Sequence, residues 1–228
     1  ASCCKRGRRV VALNAASAYH CGGGFLTGGR HAMEESFCVQ STLYQSLEHA
    51  TKLAEKLGVV VPQCAKPPKP FGGGDWHAHI PEDGVVLSPF VEVFRSGTDD
   101  GYSFEERTFQ LDAVVSVAMP NCNGHMRDSP VDSHLDKEIY MLQLDRKWRA
   151  ALTAAAYYTS ADCLIVPDAG CGVFRNPPEA VGSSLGSVLR NEFPKRFKEV
   201  LLVYPGADAV GATFSNAVQA AYSDAQEY

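Results

Sequence analysis

Apolar residues fall along this chain in short runs separated by polar, glycine-rich stretches, and strand-like and helix-like spacings alternate from end to end. Residues 10–13 (Val-Val-Ala-Leu) form a short, wholly apolar run of the kind a buried strand shows. From residue 33 to 57, Leu43, Leu47, Ala50, Leu53 and Ala54 fall on one helical face, and Gly58 marks the stop, so the pattern predicts one long helix. Residues 62–81 are rich in Pro and Gly and read as a long loop rather than a domain boundary, because strand patterns resume beyond them. Residues 85–87 and 91–94 read as short strands, and 96–109 as a polar surface excursion. Residues 113–118 read as another buried strand, ending at Pro120. After a second loop at 121–133, Ile139, Leu142, Trp148, Ala151, Leu152 and Ala155 predict a strong helix over 135–158. Residues 163–166 read as a strand, Pro177 fits the first turn of a helix reaching residue 191, residues 200–204 read as a last strand, and 212–222 as a helix. Such alternation implies α/β layering. No internal repeat is visible, and the 228 residues fit a single domain, 1–228, with a sizeable core.

Composition changes this picture little. Hydrophobic residues at 45% and charged residues at 21% are ordinary globular values, so neither disorder nor a fibrous chain is indicated. No apolar run reaches the roughly 18 residues a membrane helix needs, and residues 1–9 lack the apolar segment of a signal peptide. A net charge of −5 argues against a broad nucleic-acid surface, and direct DNA binding is not expected. Lys5, Arg6, Arg8 and Arg9 form the one dense basic cluster, which reads as a solvated, frayed terminus rather than a binding arm. The eight cysteines show neither Cys-x-x-Cys nor zinc-finger spacing, and are read mostly as free intracellular thiols, with the protein cytoplasmic or nuclear.

Candidate chemistry concentrates in residues 22–35, where Gly22-Gly23-Gly24-Phe25 runs through Thr27-Gly28-Gly29 to Met33-Glu34-Glu35. Three glycines without Cβ atoms let backbone amides close on an anion, and two carboxyl groups follow within one turn. An anion cradle beside a carboxylic acid is what cleavage of a glycosidic bond on a nucleotide sugar requires. The plainer reading is a turn followed by acidic residues at a helix start, where they meet the positive end of the dipole. Residues 164–178 repeat the plan: an apolar strand, then Asp168-Ala169-Gly170-Cys171-Gly172-Val173-Phe174-Arg175-Asn176-Pro177-Pro178. In α/β sheets, ligands sit where strand ends meet helix N-termini, and both glycine loops occupy that position.

Elsewhere the signals are weaker. Asp75, His77 and His79 contain a His-x-His, but no clear further ligand beyond Glu82 accompanies it, and no metal is expected. His125, Asp128 and His134 act only if the fold brings them to the cleft. Cys21 and Cys171 sit in the two loops as candidate nucleophiles, although a small residue tolerated in a tight turn is the simpler reading. Arg175 is a candidate for phosphate charge.

The two loops, together with the segment Val86-Leu87-Ser88-Pro89-Phe90-Val91-Glu92-Val93-Phe94-Arg95, resemble the microbial-type poly(ADP-ribose) glycohydrolases, over roughly residues 9–204. That family's signature is a Gly-Gly-Gly loop, a short spacer and Gln-Glu-Glu. The resemblance implies a macrodomain-like three-layer α/β/α fold with a mixed central sheet, and hydrolysis of the ribose-linked bond of poly(ADP-ribose) or protein-linked ADP-ribose without a cofactor. It assigns Glu35 as general acid and then base, with Glu34 as its charged partner on the ribose hydroxyls. It also implies a diphosphate held by backbone amides between Gly22, Gly23, Gly24, Phe25 and Gly170, Cys171, Gly172, Val173, Phe174. Asn14 would hold the distal ribose and Phe174 would pack on a ribose or base. Two departures from the family pattern stand out. Met33 replaces the glutamine and cannot bond a ribose or water as an amide does. Only a few residues precede Val10, so part of the adenine side is expected to be missing or built by other residues. These departures favour an alternative, a module that reads ADP-ribose without cleaving it.

Overall fold

The computed structural model describes residues 2–5, 7–61, 76–126, 129–204 and 209–223. Most of the 62–81 loop, with Cys64 and Asp75, and also Asp128, lies outside the described residues.

A five-stranded sheet forms the middle layer. In chain order its strands are β1 (Val10–Ala15), β2 (Val86–Pro89), β5 (Ala113–Val117), β6 (Cys163–Pro167) and β7 (Glu199–Val203), arranged β2-β5-β1-β6-β7. β5, β1, β6 and β7 run parallel, and β2 pairs antiparallel with β5 at one edge, so the sheet is mixed. The apolar runs contain no polar alternation because both faces of the sheet are covered. Val11, Leu13, Val115, Val117, Leu164 and Val166 point to one side, while Val10, Ala12, Val114 and Cys163 point to the other. Helices α4 (Lys137–Tyr157), α5 (Pro178–Glu192) and α6 (Ala209–Ser223) cover the first side. Trp148, wholly buried there, donates its indole N–H to the Val181 carbonyl at 3.1 Å. α2 (Met33–Gln40) and α3 (Leu43–Lys56), with Leu43 and Leu47 buried, cover the second side. The expected three-layer α/β/α arrangement with a mixed sheet is what the chain adopts.

Three readings of the pattern need correction. The single helix over 33–57 is two helices, because Ser41 is extended (φ −147°) and bridges to Val93. The Thr42 amide donates to the Glu92 carbonyl at 3.0 Å, and Thr42 Oγ1 accepts the Glu92 amide at 3.1 Å. Two adjacent hydroxyl residues thus offer the backbone partners that compete with helix bonds. The stretch 96–109 is no mere excursion: β4 (Phe104–Gln110) pairs antiparallel with β3 (Glu92–Arg95) in a separate two-stranded sheet. Nearly every β4 residue is exposed, so no alternating apolar face marked it. The basic N-terminal stretch is not simply frayed either. α1 (Ser2–Lys5) buries Cys3 against the second core, and Arg8 pairs with Asp162 at 3.3 Å. Among the described residues, no helix is long and apolar enough to cross a membrane.

Candidate active site

The parallel strands β1, β5 and β6 end side by side, and a cleft of about 310 Å³ opens beyond their carboxyl ends. Gly23 and Gly24 border it on one side and Gly170 through Phe174 on the other, with Met33, Glu34 and Glu35 between them. The two glycine loops, 146 or more residues apart in the chain, therefore face one another across a shared opening.

The first loop does not do what its composition implied. The Gly23 amide donates to the His20 carbonyl at 2.9 Å, and the Phe25 amide to the Gly22 carbonyl at 3.1 Å. The Gly24 amide donates to Glu35 Oε1 at 2.7 Å, and the Gly22 amide faces Glu34. These donors are spent on the protein's own carbonyl and carboxyl groups, so they position acids instead of cradling phosphate. Gly23 adopts φ +57°, and a Cβ there would run into the Glu35 carboxyl and stand 3.3 Å from Glu34 Oε2. Only a bare Cα lets both acids close on the turn.

The second loop supplies the open amides. Its frame is closed by Cys171 N–H to Asp168 O (3.0 Å), Arg175 N–H to Gly172 O (3.1 Å) and Asn176 N–H to Gly170 O (3.0 Å). Among the described residues, no hydrogen bond takes up the amides of Gly172, Val173 or Phe174. Asn176 is the hub beneath them. Its Nδ2 donates to the Pro120 and Gly170 carbonyls at 2.8 and 2.9 Å, and its Oδ1 accepts Tyr140 Oη–H at 2.8 Å and the Cys122 thiol at 3.3 Å. Gly170 sits so close that a Cβ would lie 2.7 Å from both Asn176 Nδ2 and Met119 Cβ.

Of the two acids, Glu34 is the buried one, 3% exposed. Its Oε2 accepts the Ser17 amide at 2.8 Å, and its Oε1 has no hydrogen bond of normal geometry. Burial raises its pKa to about 8; the neighbouring Glu35 charge adds to this, and the Ser17 and Gly22 amides and Asn14 only partly offset it. Burial thus favours the protonated form of Glu34, against the charged role that the resemblance implied for it. Glu35 is half-buried, lines the cleft and is held by the glycine loop.

Asn14 and Phe25 do not reach the cleft. Asn14 is wholly buried on β1, donating from Nδ2 to Ser116 Oγ at 3.0 Å, and it acts on Glu34 from below. Phe25 packs on Tyr44, ring centroids 5.0 Å apart, on the far side of its loop. Burial pushes the Cys21 thiol up to about 11 and the Cys171 thiol to about 12, so neither is a ready nucleophile. Arg175 is exposed, at φ +56°, and does not line the cleft. His79 is buried, its Nε2–H donating to the Ser17 carbonyl at 2.9 Å, and burial lowers its pKa to about 4, so it is a neutral prop for the Ser17 turn. His125 and His134 are exposed and away from the lining, although Met126 and Ser129 of the same loop reach it. Ser17, Asp168, Met119 and Val210 also line the cleft and carried no signal of their own in the sequence.

This is the cleft of a macrodomain-like α/β/α protein, with the ligand loops at the strand ends. Residues 2–96, which include the first glycine loop and both glutamates, match the family model of the microbial-type PARG catalytic domain. Solved structures agree. Poly(ADP-ribose) glycohydrolase from Thermomonospora curvata is 28% identical, with a TM-score of 0.67 over 92% of this chain and 69% of that one. The same enzyme bound to the inhibitor ADP-HPD gives 0.68 at 28% identity, over 92% and 71%. The enzyme from Deinococcus radiodurans in complex with ADP-ribose gives 0.71 at 25% identity, over 98% and 79%. No curated protein sequence matches the chain significantly. By family model over residues 2–96 and by three-dimensional match, the chain is similar to the microbial-type poly(ADP-ribose) glycohydrolases.

Proposed function

We propose that the protein hydrolyses the ribose-linked O-glycosidic bond of poly(ADP-ribose) or of protein-linked ADP-ribose, with Glu35 as its acid. The observation that carries this reading is the placement of Glu35: a carboxyl group gripped by Gly24, in one cleft with three unspent amides of the second glycine loop. The diphosphate takes the Gly172, Val173 and Phe174 amides, which are neutral donors and suit an acidic protein. Phe174, at the cleft wall, packs against the adjoining sugar or base.

Glu35, in its acid form, gives its proton to the glycosidic oxygen as the bond to the anomeric carbon breaks. The resulting carboxylate stabilises the oxocarbenium-like centre, then takes a proton from the attacking water, which returns the acid and leaves a free sugar hydroxyl. Glu34, still protonated, donates to a ribose hydroxyl while the Ser17 amide holds its other oxygen. Structures of relatives with ADP-ribose and with ADP-HPD support this class of ligand.

A second reading, recognition without cleavage, is favoured by Met33, whose thioether lines the cleft where the family's amide stands. Calorimetry with ADP-ribose beside an assay of ADP-ribose release from poly(ADP-ribose) separates the two. Release supports the hydrolase; binding with no release, restored in M33Q, selects the reader.

A further inference from the structure

On the opposite side of the sheet from α4, α5 and α6, three potential metal ligands come together, one of them 160 or more residues from the other two in the chain. Cys163 begins β6 and pairs in register with Glu199, the first residue of β7. Partners on adjacent parallel strands put their side chains on one face. Cys3, from the single turn of α1, lies over the same point, and the three ligand atoms all sit within 4.8 Å of one another. Cys163 is fully buried and Cys3 is 4% exposed, while Glu199 reaches the edge of the sheet.

The backbone holds this arrangement without any ion. The Arg8 amide donates to the Cys3 carbonyl at 3.2 Å, and the Cys163 amide donates to the Arg9 carbonyl at 3.1 Å, so α1 is pinned over the start of β6. Asp162 extends the anchor: it accepts the Arg9 amide at 3.1 Å and pairs with Arg8 at 3.3 Å and Lys198 at 3.1 Å.

We propose that Cys3, Cys163 and Glu199 form a structural site for a thiophilic divalent cation of the zinc type, tying α1 to the sheet edge. Two sulfurs and one oxygen suit zinc, with water completing the tetrahedron. At Zn–S distances of about 2.3 Å, tetrahedral sulfurs stand roughly 3.8 Å apart, so the cluster needs to contract by about 1 Å at most. Zinc binds thiolates rather than thiols, so an ion must displace the thiol protons, and affinity rises with pH. The site lies apart from the cleft and does not depend on the proposed hydrolase activity.

The test titrates the reduced 228-residue chain with Co²⁺ as a spectroscopic probe and then competes with Zn²⁺. The expected result is one equivalent bound, with thiolate-to-cobalt charge-transfer absorption and tetrahedral visible bands that Zn²⁺ removes. C3S and C163S should each lose the charge-transfer band or bind at least about tenfold more weakly; E199Q should keep the thiolate band at reduced affinity; C21S and C122S should be unchanged. C3S, outside the main sheet, keeps the test informative where C163S fails to fold. No cobalt band in the parent chain, a band that survives in C3S at the parent's affinity, or a Cys3–Cys163 disulfide formed in place of metal binding would overturn the site.

Discussion

Glu35 Oε1 accepts the Gly24 amide at 2.7 Å, and this bond gives the glycine loop a different task from the one its composition implies. The loop is bare so that two acids can approach it. The amides proposed to bind the diphosphate lie across the cleft in the second loop, on the frame Asn176 supports.

G23A tests that division of labour. The methyl would meet the Glu35 carboxyl and would sit on a residue at φ +57°, a conformation that costs an L-residue about 1–2 kcal/mol. Turnover should fall at least about tenfold as the acid is displaced, while ADP-ribose affinity, carried by the second loop, changes little. Calorimetry beside steady-state hydrolysis reads both; an affinity loss as large as the rate loss would return phosphate binding to the first loop.

Glu34 and His79 give stability opposite dependences on pH. Burial raises Glu34 from 4.5 to about 8, so the folded chain holds a proton that the unfolded chain releases, and stability present below pH 4.5 is lost as pH rises through 8. His79 is lowered from 6.5 to about 4, so its contribution is present above 6.5 and lost as pH falls through 4. Between pH 6.5 and 8 only the Glu34 effect of the two is at work. Urea unfolding across that interval should show stability declining by about 1.5 kcal/mol, and E34Q should flatten the decline. An equal slope in E34Q would mean the proton sits elsewhere.

Asn176 joins Tyr140 and Cys122 to the Pro120 and Gly170 carbonyls. Removing its amide in N176A strands buried partners on both sides and should cost about 2–4 kcal/mol. Because Gly170 loses its anchor, ADP-ribose affinity should drop more than kcat. Equilibrium unfolding and ligand titration check this; a stability loss under about 1 kcal/mol would show that the loop holds itself.

The layers of the fold were legible because each central strand is buried on both faces and reads as a continuous apolar run, Val10 to Leu13 and Cys163 to Val166 alike. β4 was not, because Phe104–Gln110 is solvated and borrows its order from β3. The break at Ser41 depends on a tertiary bridge to Val93 that helical periodicity cannot register. At the site, the two loops and Glu35 were readable from glycine runs beside acids. The roles of Asn14, Phe25 and Glu34 were not, since they turn on which way a side chain faces and how deeply it is buried. Asn176 gave no warning because only the fold brings Tyr140, Cys122 and the Pro120 and Gly170 carbonyls to its side chain, and Ser17 gave none because it acts through its backbone amide and carbonyl.

The most direct measurement is hydrolysis of poly(ADP-ribose) by E35Q, with ADP-ribose affinity measured on the same preparation. Glutamine can still accept the Gly24 amide but has no proton to give, so affinity should stay within about threefold while turnover falls by about 10²–10⁴. Turnover within a few-fold of the parent, at intact affinity, would contradict Glu35 as the acid and with it the proposed mechanism.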